Sequence, residues 1–365
     1  MLKKTILILI LITVGCGDYL PKTINGSIIL DDKVIIKDTV FLTKESELII
    51  NPNTKLIIKK NSVIVNNGGY IKLNGSIEDT VFINSKNNFK IILKNKASLD
   101  VNFCYLNNIS IIVKDSDLNL NNSKILSSYN LFKIVSSNVR FNNCYLMGNN
   151  FNYLGDFINS NFILNNSIIN NFKNGLIFNN SINYNLNINN SLFNNIKKET
   201  IIIKKSFNNY ISNCVFYKNN IIIKTNNTDN NSLKLINNLF VNNEVIINNN
   251  GNSYFYILNN TMHNNKLIIN DNFNGGQFIS KNNIYYNNNK LFNIRDKTYL
   301  NNSFCLYNND TLIGYYNIKK DPLFKNIKSF NYGLKDNSPA IGSANNNTNI
   351  GANINNIYII KYLNK

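Results

Sequence analysis

The sequence predicts an all-β solenoid, a right-handed parallel β-helix with coils of about 19–25 residues. Three observations carry that expectation. A short motif recurs with a period in the low twenties. The segments between copies are brief alternations of β-branched and aromatic residues, with no helical period. Pairs of Asn, a residue that tolerates the left-handed backbone of tight turns, stand where those alternations end.

The first element is an export segment. Met1-Leu2-Lys3-Lys4 precedes an apolar run from Thr5 to Val14, and Gly15-Cys16 follows directly. A basic start, a short apolar core and small residues before a cleavage point describe a secretory signal. The run falls short of the ~20 residues that span a bilayer as a helix. The Gly15-Cys16 pair resembles a bacterial lipobox. That resemblance implies cleavage before Cys16, a lipid on the Cys16 thiol and a membrane partner reached through it. Thr13 departs from the aliphatic residue usual three places before the cysteine, and an ordinary secretory peptide is the alternative. The expected organisation is 1–15 signal, 16–30 anchor and tether, 31–315 β-helix, and 316–365 closing segment.

The central coils are the clearest. Leu118-Asn-Leu-Asn121-Asn122-Ser123 is followed by Val139-Arg-Phe-Asn142-Asn143-Cys144, Phe162-Ile-Leu-Asn165-Asn166-Ser167 and Leu186-Asn-Ile-Asn189-Asn190-Ser191. The series continues through Asn213-Cys214, Asn237-Asn238, Asn259-Asn260-Thr261 and Asn282-Asn283. Aligning positions 122, 143, 166, 190, 213, 238, 260 and 283 gives a repeat in the low twenties. Leucine-rich repeats share this period but need a Leu framework and a helical segment per turn, which these coils lack. Eleven or twelve coils stacked at a strand spacing of ~4.8 Å would make a rod of roughly 50–60 Å. The residue after each Asn pair should point inward, which places Ser123, Cys144, Ser167, Ser191, Cys214 and Thr261 in one internal corner, with Cys104 in an earlier coil. Cys104, Cys144, Cys214 and Cys305 are thereby expected to be rungs of the interior. An exported chain permits disulfides, but one this long does not need a disulfide framework.

Both ends carry further patterns. Asn51-Pro52-Asn53-Thr54, then Gly68-Gly69-Tyr-Ile-Lys-Leu-Asn-Gly75 and Glu78-Asp-Thr-Val-Phe-Ile-Asn-Ser85, resemble the opening coils of bacterial right-handed parallel β-helix proteins. Asn53 stands where that pattern has Gly, an acceptable change at a left-handed turn. Asp321-Pro322-Leu323-Phe324, Tyr332-Gly-Leu334, Ser338-Pro339-Ala340-Ile341-Gly342 and Asn349-Ile350-Gly351-Ala352 resemble the tail of the same proteins, with Asn349 in place of Asp. Together with the leader, the chain resembles uncharacterised β-helix repeat lipoproteins of Gram-negative envelopes. The resemblance implies an outer-membrane location and the fold shared by polysaccharide lyases.

Chemistry is harder to find. A lyase on this fold would need a Lys or Arg base, often with Ca²⁺ held by several carboxylates. The acids are dispersed: Asp31-Asp32, Glu78-Asp79 and Asp115-x-Asp117 have no visible partner one coil away, and Asp156 and Glu199 stand alone. His263 is the sole histidine and reads as an exposed turn residue. No catalytic, cofactor-binding or metal-ligating residue is therefore predicted, and lipidation of Cys16 is the one modification. The net charge of +18 comes from scattered Lys in an A/T-codon-rich composition, without a long basic block. It favours an acidic polysaccharide or an envelope protein as partner over nucleic acid, given export. The expected function is a non-catalytic envelope scaffold or binding surface. The alternative is a lyase-like enzyme acting on an acidic polysaccharide; a Lys flanked by acids on adjacent coils would favour it.

Overall fold

Short strands turning through three faces per coil build this chain, in a computed structural model that describes residues 11–14, 19–181, 183–273, 275–308, 312–354 and 357–363. Cys16 lies outside the described residues, as does most of the apolar leader. The result is a parallel β-solenoid of about 12 turns. Helix among the described residues is confined to a 3₁₀ turn, Ile327–Ser329, and to Ile357–Leu363. The chain divides into two units, Met1–Cys144 and Tyr145–Lys365.

In the first unit, one face stacks Ser27–Leu30, Glu47–Ile50, Tyr70–Asn74, Ser98–Asn102, Asp117–Asn121 and Asn138–Asn142 in parallel register. Each strand alternates inward and outward side chains, so Leu48, Ile71, Leu99, Leu118 and Val139 form one internal column. A second column runs Val34, Leu56, Ile83, Leu106 and Ile125. A third runs Val40, Ile64, Ile91, Ile111 and Phe132. Full burial of each such side chain is worth about 1.5–3 kcal/mol, so the stack is held by its interior rather than by surface pairs. Asn53 adopts φ 64°, the left-handed turn expected of it.

The second unit repeats the plan with larger side chains inside. Phe193, Phe216 and Phe240 stack face to face at 5.1 Å per step, tilted by 7° and 10°. Phe255 and Phe278 do the same at 4.9 Å. Equal residues at equal positions can only meet this way when coils superpose, which is what the parallel register enforces.

The corners depend on Asn. Asn122, Asn143, Asn166, Asn190, Asn213, Asn237, Asn259 and Asn282 all adopt φ between 49° and 57°. The next residue turns inward: Ser123, Cys144, Ser167, Ser191 and Cys214 are buried there as expected, as is Cys104 after Phe103, whose φ is 46°. The last coils depart from the sequence alignment by one residue. Asn238, Asn260 and Asn283 are not the turn residues but fill the internal corner, each fully buried. Thr261, expected in the corner, instead starts the next strand, Thr261–His263. The motif hid the shift because Ile236, Leu258 and Lys281 occupy the outward place held elsewhere by the first Asn.

The segment after Lys319 does not continue the coils. It makes an antiparallel hairpin, Phe324–Asn326 with Asn331–Leu334, and then a run ending in Ile357–Leu363. This strap covers the outer side of a sheet face in its own unit, where Ile168, Leu192, Val215, Leu239 and Val241 meet Tyr332 and Ile359. Farther along, Ala340, Ala344 and Ile350 cover Ile284 and Leu306. Gly351, at φ 94°, donates its N–H to Asn282 O at 2.8 Å; a Cβ there would come within 2.5 Å of the Ile284 side chain. The strands beneath are consequently buried on both sides, as Leu239–Val241 shows.

Candidate functional site

On the second unit, the face formed by Asn185–Asn189, Asn208–Ser212, the end of Ile221–Ile236 and the end of Val245–Leu258 is not covered by the strap. Parallel register places Asn187, Tyr210, Lys234 and Tyr256 in one outward column on successive coils. They lie in a groove of about 810 Å³ whose other lining includes Asn185, Asn208, Ser232 and Phe207. Lys234 Nζ is 5.4 Å from the Tyr210 ring centre and 5.9 Å from that of Tyr256. Cation–π attraction holds the ammonium between two phenol faces. No carboxylate lines the groove. Its chemistry is therefore two aromatic faces, one cation and a rim of amides and hydroxyls. That set can stack a sugar ring, accept and donate hydrogen bonds to its hydroxyls, and oppose a carboxylate.

Sequence reasoning did not find this groove. Tyr210, Lys234 and Tyr256 are 24 and 22 residues apart, and nothing in their local neighbours marks them. The register of the coils was the only available signal, and it slipped by one at Asn238.

The carboxylate that seemed isolated, Glu199, has partners from the neighbouring coils. It accepts from Asn174 Nδ2 at 2.7 Å and from Lys224 Nζ at 2.9 Å. Burial alone would raise this carboxyl, but the ammonium and amide outweigh it and hold its pKa below the usual carboxylate value. Register sets Asn248, not an acid, on the other side of Lys224. Members of the acid pairs are tied to neutral neighbours: Asp31 accepts from Asn51, and Asp117 from Asn138 at 2.9 Å; Asp100, on a separate strand, accepts from Tyr70 at 2.8 Å. Asp271 is buried and takes hydrogen bonds from Asn249, Gly276 and Thr298, which makes it a corner tie.

His263 is not the exposed turn residue the sequence suggested. It ends the strand Thr261–His263, and the strap closes over it: Nδ1 is 2.7 Å from Tyr332 Oη, and the ring stacks at 5.4 Å on Tyr286. Burial pushes its pKa down to about 4. The cysteines Cys104, Cys144, Cys214 and Cys305 are buried thiols, as rungs should be. Burial raises the first three thiols to about 12 and Cys305 to about 11.

Among solved structures, the chain is similar to the A-module of the Azotobacter vinelandii mannuronan C-5 epimerase AlgE6, at 12% identity over 81% of this chain and 91% of that one, with a TM-score of 0.34. It is also similar to a double mutant of the periplasmic alginate epimerase AlgG, at 10% identity over 80% of this chain and 76% of that one, with a TM-score of 0.24. No family model matches the chain. No curated protein matches it.

Proposed function

We propose that this chain is an envelope protein, anchored by a lipid on Cys16, that binds an acidic polysaccharide in the Tyr210–Lys234–Tyr256 groove without cleaving it. The observation that carries the reading is the ladder itself: an ammonium between two tyrosine rings on successive coils, in a groove that no carboxylate lines. A polymer lying across the coils meets a stacking face, a cation and a second stacking face in turn. The formal charge of +18 adds long-range attraction for a polyanion. A lyase would gain from a lysine between acids on both neighbouring coils. Lys224, with Glu199 on one side and Asn248 on the other, gives that alternative only half of its signature.

Titration calorimetry with a polyuronate and with a neutral glucan tests the reading. Binding should favour the polyuronate, and Lys234→Gln or Tyr256→Ala should each weaken it about 5–50-fold, the scale of one lost charged or stacking contact. Unchanged affinity in both variants would remove the groove from the function. Unsaturated uronate products, followed by absorbance with and without Ca²⁺, would replace binding with lysis. The anchor is tested separately: a tagged fatty acid should label the wild type and not Cys16→Ala.

A further inference from the structure

The first unit has a second cleft with a different chemistry. It occupies about 420 Å³ beside the strand Lys55–Ile58, and its lining includes Lys55, Lys59, Lys60, Lys86 and Phe82. Four lysines thus contribute to one lining, and no acidic residue does. None of the four lysines joins an ion pair among the described residues. The register of Val34 with Leu56 brings Lys33 alongside Lys55 on the preceding coil. Acids on the preceding coil already have partners: Asp38, two residues after the Ile36 that registers with Ile58, pairs with Lys22 at 3.6 Å, Asp31 takes a hydrogen bond from Asn51, and Asp32 takes one from the Lys33 N–H.

The cleft is also amphipathic. Phe82 is 50% exposed at its edge. Parallel register continues the outward column from Lys55 through Phe82 and Tyr105 to Lys124. The Phe82 and Tyr105 rings lie 5.9 Å apart, and Lys124 Nζ is 5.6 Å from the Tyr105 ring centre. A bare anion site has no use for an exposed phenylalanine. A membrane surface has, because aromatic rings settle at the headgroup level while lysines meet lipid phosphates.

We propose that Lys55, Lys59, Lys60 and Lys86 bind the phosphates of anionic lipid headgroups, with Phe82 resting in the interface. The inference rests on the anchored reading above, because a lipid on Cys16 would hold this face near a bilayer. Only seven steps of chain separate Cys16 from Thr23, a reach of at most ~25 Å when fully extended. The cleft opens about two coils beyond Thr23, or ~10 Å along the stack. A single acyl chain gives marginal membrane binding, and a basic patch beside it supplies the second attachment.

The test is flotation of the full chain carrying Cys16→Ala with vesicles of phosphatidylcholine, with and without phosphatidylglycerol, at matched ionic strength. The apolar leader contributes to both vesicle types, so the ratio of the two partition constants reports the charge-dependent part. That ratio should be about tenfold or more for four lysines. It should fall close to one in Lys55→Gln/Lys59→Gln/Lys60→Gln/Lys86→Gln. It should be largely kept in Lys197→Gln/Lys198→Gln/Lys319→Gln/Lys320→Gln, which loses the same charge elsewhere. Equal loss in both variants would assign the effect to diffuse charge and overturn the site. So would a parent chain without preference, or a preference abolished by inorganic phosphate at constant ionic strength. Far-ultraviolet circular dichroism confirms that each variant is folded. Fatty-acid labelling of the wild type without vesicle preference would keep the anchor and overturn the cleft; preference without labelling would do the reverse.

Discussion

Asparagine does two different jobs in this chain, and they differ by one position. At the turns it supplies the left-handed φ; one residue later it is buried and bonded. Asn219, Asn243, Asn265 and Asn288 form such an internal ladder. Asn243 Oδ1 accepts from the Asn219 N–H at 2.9 Å, and its Nδ2 donates to Phe216 O and to Asn265 Oδ1, both at 2.9 Å. Asn243→Ala would leave the buried Asn219 N–H and the Phe216 carbonyl without this partner, while Asn265 Oδ1 keeps the Asn243 N–H at 3.0 Å. At about 1–3 kcal/mol for each unsatisfied group, the loss should reach about 3–5 kcal/mol and lower the thermal midpoint by several degrees. Asn293→Ala, at an exposed rung donating to Asn270, should change stability by less than about 0.5 kcal/mol. Similar losses at both positions would mean that the internal ladder is not the stabilising one. Thiol chemistry gives a second check at this scale. In folded Cys16→Ala, Cys104, Cys144, Cys214 and Cys305 should stay unlabelled by a thiol reagent until denaturant is added, since burial keeps them protonated at neutral pH. The sequence revealed the period and the small residues at the corner. It could not reveal which Asn of a pair turns inward, because a strand inverts its faces at every residue and Asn-Asn reads the same in either register.

The strap is the element on which the covered face of the second unit depends. Its tail motif was legible as a distinct segment, from Asp321 through Ala352. Its place was not, because its contacts are remote in the chain: Asn170 donates to Tyr362 Oη at 2.9 Å across 192 residues. His263 was misread for the same reason, since its cover comes from Tyr332. That cover makes the strap sensitive to acid. The imidazole is neutral and bonded to Tyr332 at neutral pH, and its folded pKa, about 4, lies below the ordinary value of 6.5. As pH falls from 6.5 towards 4 the unfolded chain takes up the proton and the folded one resists it. The stability present above pH 6.5 is therefore lost progressively, and the loss is complete below pH 4. On the packed elements, the Asp321 carboxylate accepts a hydrogen bond at 3.3 Å from Tyr286, whose ring stacks on His263. The loss should be about 2 kcal/mol with solvent screening included. Denaturant unfolding at pH 7 and at pH 4 should show it in the wild type and not in His263→Gln. A His263→Gln chain losing the same increment would place the acid sensitivity in the carboxylates.

Charge acts at the scale of the whole chain. Basic residues number 38 against 20 acidic ones, an excess of 18, and the ion pairs Lys22–Asp38, Lys44–Glu45 and Lys266–Glu244 are exposed and weak. The total was legible in composition. Its placement was not, since Lys55 and Lys86 reach one cleft, and Lys234 its two tyrosines, only after the coils are wound. Field and site can be separated by salt. The field attracts a polyanion over distances comparable with the Debye length, about 8 Å at physiological ionic strength. Raising salt should therefore slow polyuronate association by about tenfold or more, with little change in dissociation. Lys234→Gln removes one charge of a large excess. It should leave the salt slope of association almost intact while accelerating dissociation, because the contact it removes is local. Stopped-flow measurements across a salt series distinguish the two effects. If Lys234→Gln instead flattened the salt dependence and left dissociation unchanged, the lysine would be one more contributor to a diffuse field, and the tyrosine ladder would lose its claim to be the site.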